Sequence, residues 1–240
     1  MSVPLFLNFT APVQKKSRTG IVSVTFNITV KGKRLVLKDS LYTNIFGERY
    51  SVSKFKYYIS NPGLVQGKDR KIERNEYHLI DAERPASQHI EFRVPSGSYD
   101  KLFFRLGVDS ARNCSGAQSG ALDPMNDMFW TWNSGYVMAK LEGISASSTA
   151  INQRLEYHIG GYKGKNKVIQ QIRLFSKSPI NIIAGKTTEI IIETDLDKWW
   201  QANQPVTIKE SPICTTPGEL AGKIAANYSN MFTIQSMHIK

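Results

Sequence analysis

Between Val22 and Val30 the chain reads VSVTFNITV, with Val22, Val24, Phe26, Ile28 and Val30 alternating with Ser, Thr and Asn. Side chains in a strand point to opposite faces in turn, so this run predicts a strand with one buried and one wetted face. The same period recurs in KFKYYIS (Phe55, Tyr57, Ile59), HIEFRV (Ile90, Phe92, Val94), KLFFRLGV (Leu102, Phe104, Leu106, Val108) and RLEYHIG (Leu155, Tyr157, Ile159). Further strands are predicted over 168–175, 188–193 and 231–239, with turn signals such as NPG, VPSGSYD and SKSPIN between many of them. Helix is scarce. A short one is predicted after Pro217 (Leu220, Ala221, Ile224, Ala225), opened by PGE, and a turn over 195–201. This pattern specifies an all-β chain: an antiparallel β-sandwich, jelly-roll or immunoglobulin-like, with one or two short helices. Residues 1–20 read as an N-terminal extension and 21–240 as a single domain with no internal repeat.

Lys and Arg number 31 against 20 Asp and Glu, a formal charge of +11 that favours an anionic partner. The charge is spread along the chain, however, and sits mostly at the polar positions of alternating strands, as at Lys54 and Lys56 around Phe55. Solvated strand faces are the expected reading, and no nucleic-acid interface is read. No apolar run approaches the roughly 20 residues of a membrane helix. The opening MSVPLFLNFTAPVQ has neither a charged leader nor an apolar stretch with a cleavage site, so no signal peptide is read there. The two cysteines, Cys114 and Cys214, are too few for a zinc cage and too distant for a C-x-x-C pair. One disulfide or two unrelated thiols are the alternatives. AGKTTE at 184–189 lacks the phosphate-loop glycine, since position 180 is Ile, and it runs into a β-branched strand. No nucleophile elbow, zinc helix or deaminase signature is present, and nothing positive supports a two-carboxylate hydrolase. No enzyme is read.

The least strand-like stretch is DSARNCSGAQSGALDPMND, residues 109–127; long loops within compact domains are usually functional. Its Asp109, Asn113, Asp123, Asn126 and Asp127 suit a calcium ion, which prefers oxygen ligands, or a loop braced by Asx turns. MFWTWNSGY follows, with Trp130 and Trp132 on one face of a strand, either as core or as a stacking platform. Strand parity sends His89 to water with Glu91 and Arg93, and puts His158 with Arg154 and Glu156, opposite Leu155, Tyr157 and Ile159. His78 shares the parity of Ile80, and His238 lies near the C-terminus.

Five runs, LYTNIFGERYSVSKFKYYISN (41–61), EYHLIDAE (76–83), VPSGSYDKLFFRLGVDSARN (94–113), SGAQSGALDPMNDMFWTWNSGYVMAKLEGIS (115–145) and EYHIGGY (156–162), resemble the MbnP family of methanobactin-operon-associated copper proteins. The resemblance covers nearly all of 21–240. It implies a β-sandwich exported to the periplasm or outer-membrane surface, a lipoprotein among the options, that binds copper without being an enzyme. It further implies a site of two histidines and a tryptophan oxidised to kynurenine by a dihaem peroxidase-like partner. The tryptophan maps to Trp130 or Trp132. His78 is the first histidine candidate, with His89 and His158 as second ligands, and Met125 and Met128 offer thioethers to Cu(I). An exported sandwich could also join Cys114 to Cys214, and a monomer with no membrane span is expected. The alternative is a surface recognition module for glycans or proteins, using Trp130, Trp132, Trp199 and Trp200, with the metal site lost.

Overall fold

Alternation along the chain becomes fourteen strands in the computed structural model, which describes residues 19–240 apart from 74, 117 and 131–134, with backbone only at 165. They are β1 (Thr19–Val30), β2 (Lys33–Arg34), β3 (Tyr42–Thr43), β4 (Arg49–Gln66), β5 (Asp69–Ile72), β6 (Tyr77–Asp81), β7 (His89–Pro95), β8 (Gly97–Leu106), β9 (Val137–Ser145), β10 (Arg154–Gly160), β11 (Gln170–Ile182), β12 (Thr187–Asp195), β13 (Ile213–Cys214) and β14 (Phe232–Ile239). Two helices, α1 (Ser110–Asn113) and α2 (Glu219–Tyr228), accompany them. The expected N-terminal extension lies outside the described residues as far as residue 18, and β1 begins at Thr19.

The strands form two sheets. In the first the order is β14-β12-β1, with β2 and β7 both on β1. The second runs β11-β8-β4-β9-β10-β13, with β3, β5 and β6 also paired to the long β4. Both pairs β1·β12 and β10·β13 are parallel, so the sandwich is mixed where an antiparallel one was expected. The reason is connectivity. The second sheet intervenes in sequence between β1 and β12, so no hairpin dictates their relative direction.

The core is the set of residues that the alternation points inward. Val22, Val24, Phe26 and Ile28 of β1 face Phe55, Tyr57 and Ile59 of β4, Leu102, Phe104 and Leu106 of β8, and Leu155, Tyr157 and Ile159 of β10, all buried. Phe26 meets Tyr57, Phe104 and Phe232 edge-on, at centroid distances of 6.2, 5.9 and 6.2 Å, the geometry that aromatic quadrupoles favour. Trp199 and Trp200, surface platforms only under the alternative of a recognition module, are fully buried. Trp199 belongs to the turn after β12 and lies between Phe55, Tyr157 and Tyr228; Trp200 Nε1 donates to Tyr50 Oη at 3.1 Å. No helix among the described residues is long and apolar enough to cross a membrane.

Because Phe26 fills the junction of both sheets, Phe26→Ala is expected to lower the unfolding free energy by about 3–5 kcal/mol. Urea denaturation followed by tryptophan fluorescence measures this, and a loss below about 1 kcal/mol would mean that the two sheets do not pack through this ring.

Candidate functional site

Strand register lays charged side chains in rows across the outer face of the second sheet. Asp81 of β6 pairs with Lys56 of β4, Lys56 with Lys140 of β9, and Lys140 with His158 of β10. One step along, Lys54 pairs with Glu142 and Glu142 with Glu156. This parity predicts solvated lysines, yet Lys56 is 5% and Lys140 2% exposed. The cause is the long loop after β8, which folds back over this face. Tyr58, on the same outer face, donates to the Ala121 carbonyl at 3.1 Å, and Tyr136 donates to that of Leu122 at 2.7 Å.

The buried ammonium groups are neutralised by the loop and by their own strands. Asp127 Oδ2 lies 2.9 Å from Lys140 Nζ and 3.1 Å from Lys54 Nζ, while Lys56 donates to the Asn126 carbonyl at 3.4 Å. Asp81 sits 3.3 Å from Lys56 and 3.2 Å from Arg84. Glu142 takes His158 Nε2 at 2.8 Å, Lys54 at 3.3 Å and Lys140 at 3.6 Å. The hydrogen bond from His158 holds the Glu142 carboxyl down at about 2; burial opposes this, and Lys54 and Lys140 reinforce it. Burial works to raise Asp127 too, but hydrogen bonds from Lys140 and Lys54 outweigh it and leave that carboxyl below its ordinary value.

Trp130 joins this face. Its six-membered ring lies on the backbone of Gly160, where a Cβ would come within 2.4 Å of Cζ3, so only glycine fits beneath the indole. Gly160 stands two residues beyond His158 on β10, just past a register irregularity between Ile159 and Gly160. Trp132 lies outside the described residues. Met128 is fully buried, whereas Met125 is exposed, so the two thioethers do not converge.

The other histidines are elsewhere. His89 opens β7 on the outer face of the first sheet, with Ser23 and Glu91 each 3.4 Å from Nε2 and Thr25 3.3 Å from Nδ1. The full thickness of the sandwich separates it from His158. His78 pairs with Ile59, and burial lowers its imidazole pKa against the opposing charge of Glu76. His238 lies opposite Glu189 on β14.

The five residues weighed for calcium each hold the loop together. Asp109 caps α1 at Arg112 and accepts a short hydrogen bond from Tyr77; Asn113 bridges Val108 and Asp109 to the Tyr136 amide. Asp123 caps Met125, Asn126 donates to Gly120 and Ala121, and Asp127 holds the lysines. These are the contacts of a braced loop. Cys114 is exposed and Cys214 buried, both as free thiols, so the bridge between them is not made; burial pushes Cys214 up to about 11. A groove of about 530 Å³ on the first sheet, beside Thr25, Asn27 and Gln88, is lined by no carboxylate.

Among the described residues no three His, Cys, Asp or Glu side chains come together as a ready metal cage. The His158 imidazole has the carboxylates of Glu142 and Glu156 at 2.8 and 3.7 Å from Nε2, and the Trp130 indole rests on Gly160, two residues further along β10. Sequence reading missed Lys140, Glu142 and Asp81. The available signal was Tyr58 at an outward position of β4, an aromatic that needs a cover.

The MbnP family model matches residues 19–216. A similar solved structure is MbnP from Methylosinus trichosporium, 14% identical, covering 72% of this chain and 76% of that one with a TM-score of 0.51; the likeness is one of fold. No curated protein matches.

Two outcomes are expected. The folded-state pKa of Glu142 lies below its ordinary 4.5, so its stabilising contribution is present above that pH and lost as pH falls toward 2. Glu142→Gln therefore flattens the fall of unfolding free energy across this window, as denaturant titrations at several pH values will show. Gly160→Ala displaces the Trp130 ring, costing about 1–3 kcal/mol and altering the near-ultraviolet circular dichroism.

Proposed function

The chain belongs to the MbnP family, and on that premise we propose that it is a copper-associated protein of the cell envelope, exported and not itself an enzyme. The copper donors are His158 and the neighbouring tryptophan after oxidation to kynurenine by a dihaem peroxidase-like partner. The observation carrying this reading is the seating of the Trp130 ring on Gly160, two residues from His158. Opening the indole exposes an aniline nitrogen and a carbonyl, turning a non-ligand into a ligand, and imidazole suits copper. Of the three histidine candidates, His158 is preferred because His78 and His89 lie on other strands and make other contacts. Glu142 orients the imidazole through Nε2, and Lys54 and Lys140 keep Glu142 ionised beside it. A glycan- or protein-recognition module is the weaker reading, because Trp199 and Trp200 are in the core.

Copper titration of the native-source protein tests the proposal. His158→Ala is expected to weaken binding at least about tenfold, the scale of losing one ligand, while His78→Ala and His89→Ala bind as wild type. Equal binding by His158→Ala would remove the proposed site. Tryptic mass spectrometry of the same material is expected to find kynurenine at Trp130 or Trp132.

A further inference from the structure

The turn between β3 and β4, TNIFGER, inverts the usual distribution of a surface turn. Its Asn44 and Glu48 are buried: Asn44 Nδ2 donates to Glu48 Oε2 at 2.7 Å, and Asn44 Oδ1 accepts from the Phe46 and Glu48 amides at 3.0 Å each. The Glu48 carboxylate also accepts the amides of Ile208 and Lys209, both at 2.8 Å. Gly47, at φ +78°, closes the turn. This scaffold holds outward two large apolar side chains, Ile45 at 60% and Phe46 at 37% exposure, where Gly, Asn, Asp or Ser ordinarily sit.

A second protrusion stands beside it. The β9–β10 connection is tied to this end by Ser145 Oγ donating to the Arg49 carbonyl at 2.6 Å and by Thr149 Oγ1 donating to that of Lys209 at 3.4 Å. It presents Ile151, 79% exposed and followed by Asn152 and Gln153, both left-handed at φ 59° and 55°. Leu41 and Ile144 are exposed around a shallow cavity of about 350 Å³ at the same end. Arg49 and Lys209, next to both turns, are exposed and make no ion pair among the described residues. Glu48 is bound to backbone amides, and Glu210 accepts from the Thr207 hydroxyl.

We infer that this end of the sandwich docks on an anionic lipid bilayer, with Ile45, Phe46 and Ile151 entering the headgroup–acyl boundary and Arg49 and Lys209 on lipid phosphates. Apolar side chains raised on two convex turns fit a soft, flat medium that closes around them. The unpaired cations, and a chain of net charge +11, supply the attraction to anionic headgroups. The inference is independent of copper.

The test is co-sedimentation of the full chain with vesicles of phosphatidylcholine containing phosphatidylglycerol, against phosphatidylcholine alone. The wild type is expected to pellet with the anionic vesicles and to be released by salt. Ile45→Asp/Ile151→Asp, both positions exposed, is expected to keep the wild-type melting midpoint and lose at least about tenfold in partitioning. Arg49→Glu/Lys209→Glu is expected to lose the preference for anionic vesicles. Phe46→Trp in the otherwise wild-type chain is expected to shift its emission to the blue on vesicle binding. Wild-type protein that stays in the supernatant, an Ile45→Asp/Ile151→Asp variant that pellets as wild type, or a Phe46→Trp emission unmoved by vesicles would each overturn the inference. So would equal binding to soluble polyglutamate, which would point to an acidic protein instead.

Discussion

Lys56 and Lys140 stand directly opposite each other on neighbouring strands, and both are nearly excluded from water. Like charges in that position destabilise a sheet, and a buried ammonium without a counter-charge costs far more. The arrangement persists because Asp81 meets Lys56 from β6 while Asp127 reaches Lys140 from the loop above. Asp127 reaches it from the left-handed conformation, at φ 60°. The covering loop and the charged rows thus require one another. Without the loop the lysines would lie in water, and without the lysines the loop would lose its ionic anchors.

That mutual dependence positions the candidate site. Trp130 follows Asp127 by three residues, so the anchor that neutralises Lys140 also delivers the indole to the same face of the sheet. Gly160 leaves room for the ring, and His158, two residues earlier, carries the imidazole. Glu142 links the two halves, because its carboxylate contacts His158 on one side and Lys54 and Lys140 on the other. A site built on strands and fixed by such second contacts is held more closely than one carried by a free loop.

Much of this was legible in the sequence, for definite reasons. The strands β1, β7, β8 and β10 follow from period-two alternation, because a one-residue slip would move every apolar side chain to the wrong face. The same parity correctly sends His89 and His158 outward. It does not report what covers an outward face, which is why Lys56 reads as solvated. Tyr58 and the apolar loop residues Leu122 and Met128 together carried that information, since all three need burial. The parallel pairing of β1 with β12 was not legible, because no local pattern encodes the direction of a remote neighbour. Trp199 and Trp200 are adjacent yet both buried, because their turn is held between α2 and the second sheet, a tertiary fact absent from the local spacing.

The most direct measurement of the central claim is a map of paramagnetic broadening by Cu(II) over the assigned amide resonances of the isotope-labelled protein. The account predicts that signals of Glu142, His158 and Gly160 broaden first, at substoichiometric metal, while those of Ser23, Thr25 and His89 on the opposite sheet stay sharp. Broadening centred on His89 or His78 instead, with β10 unaffected, would contradict it.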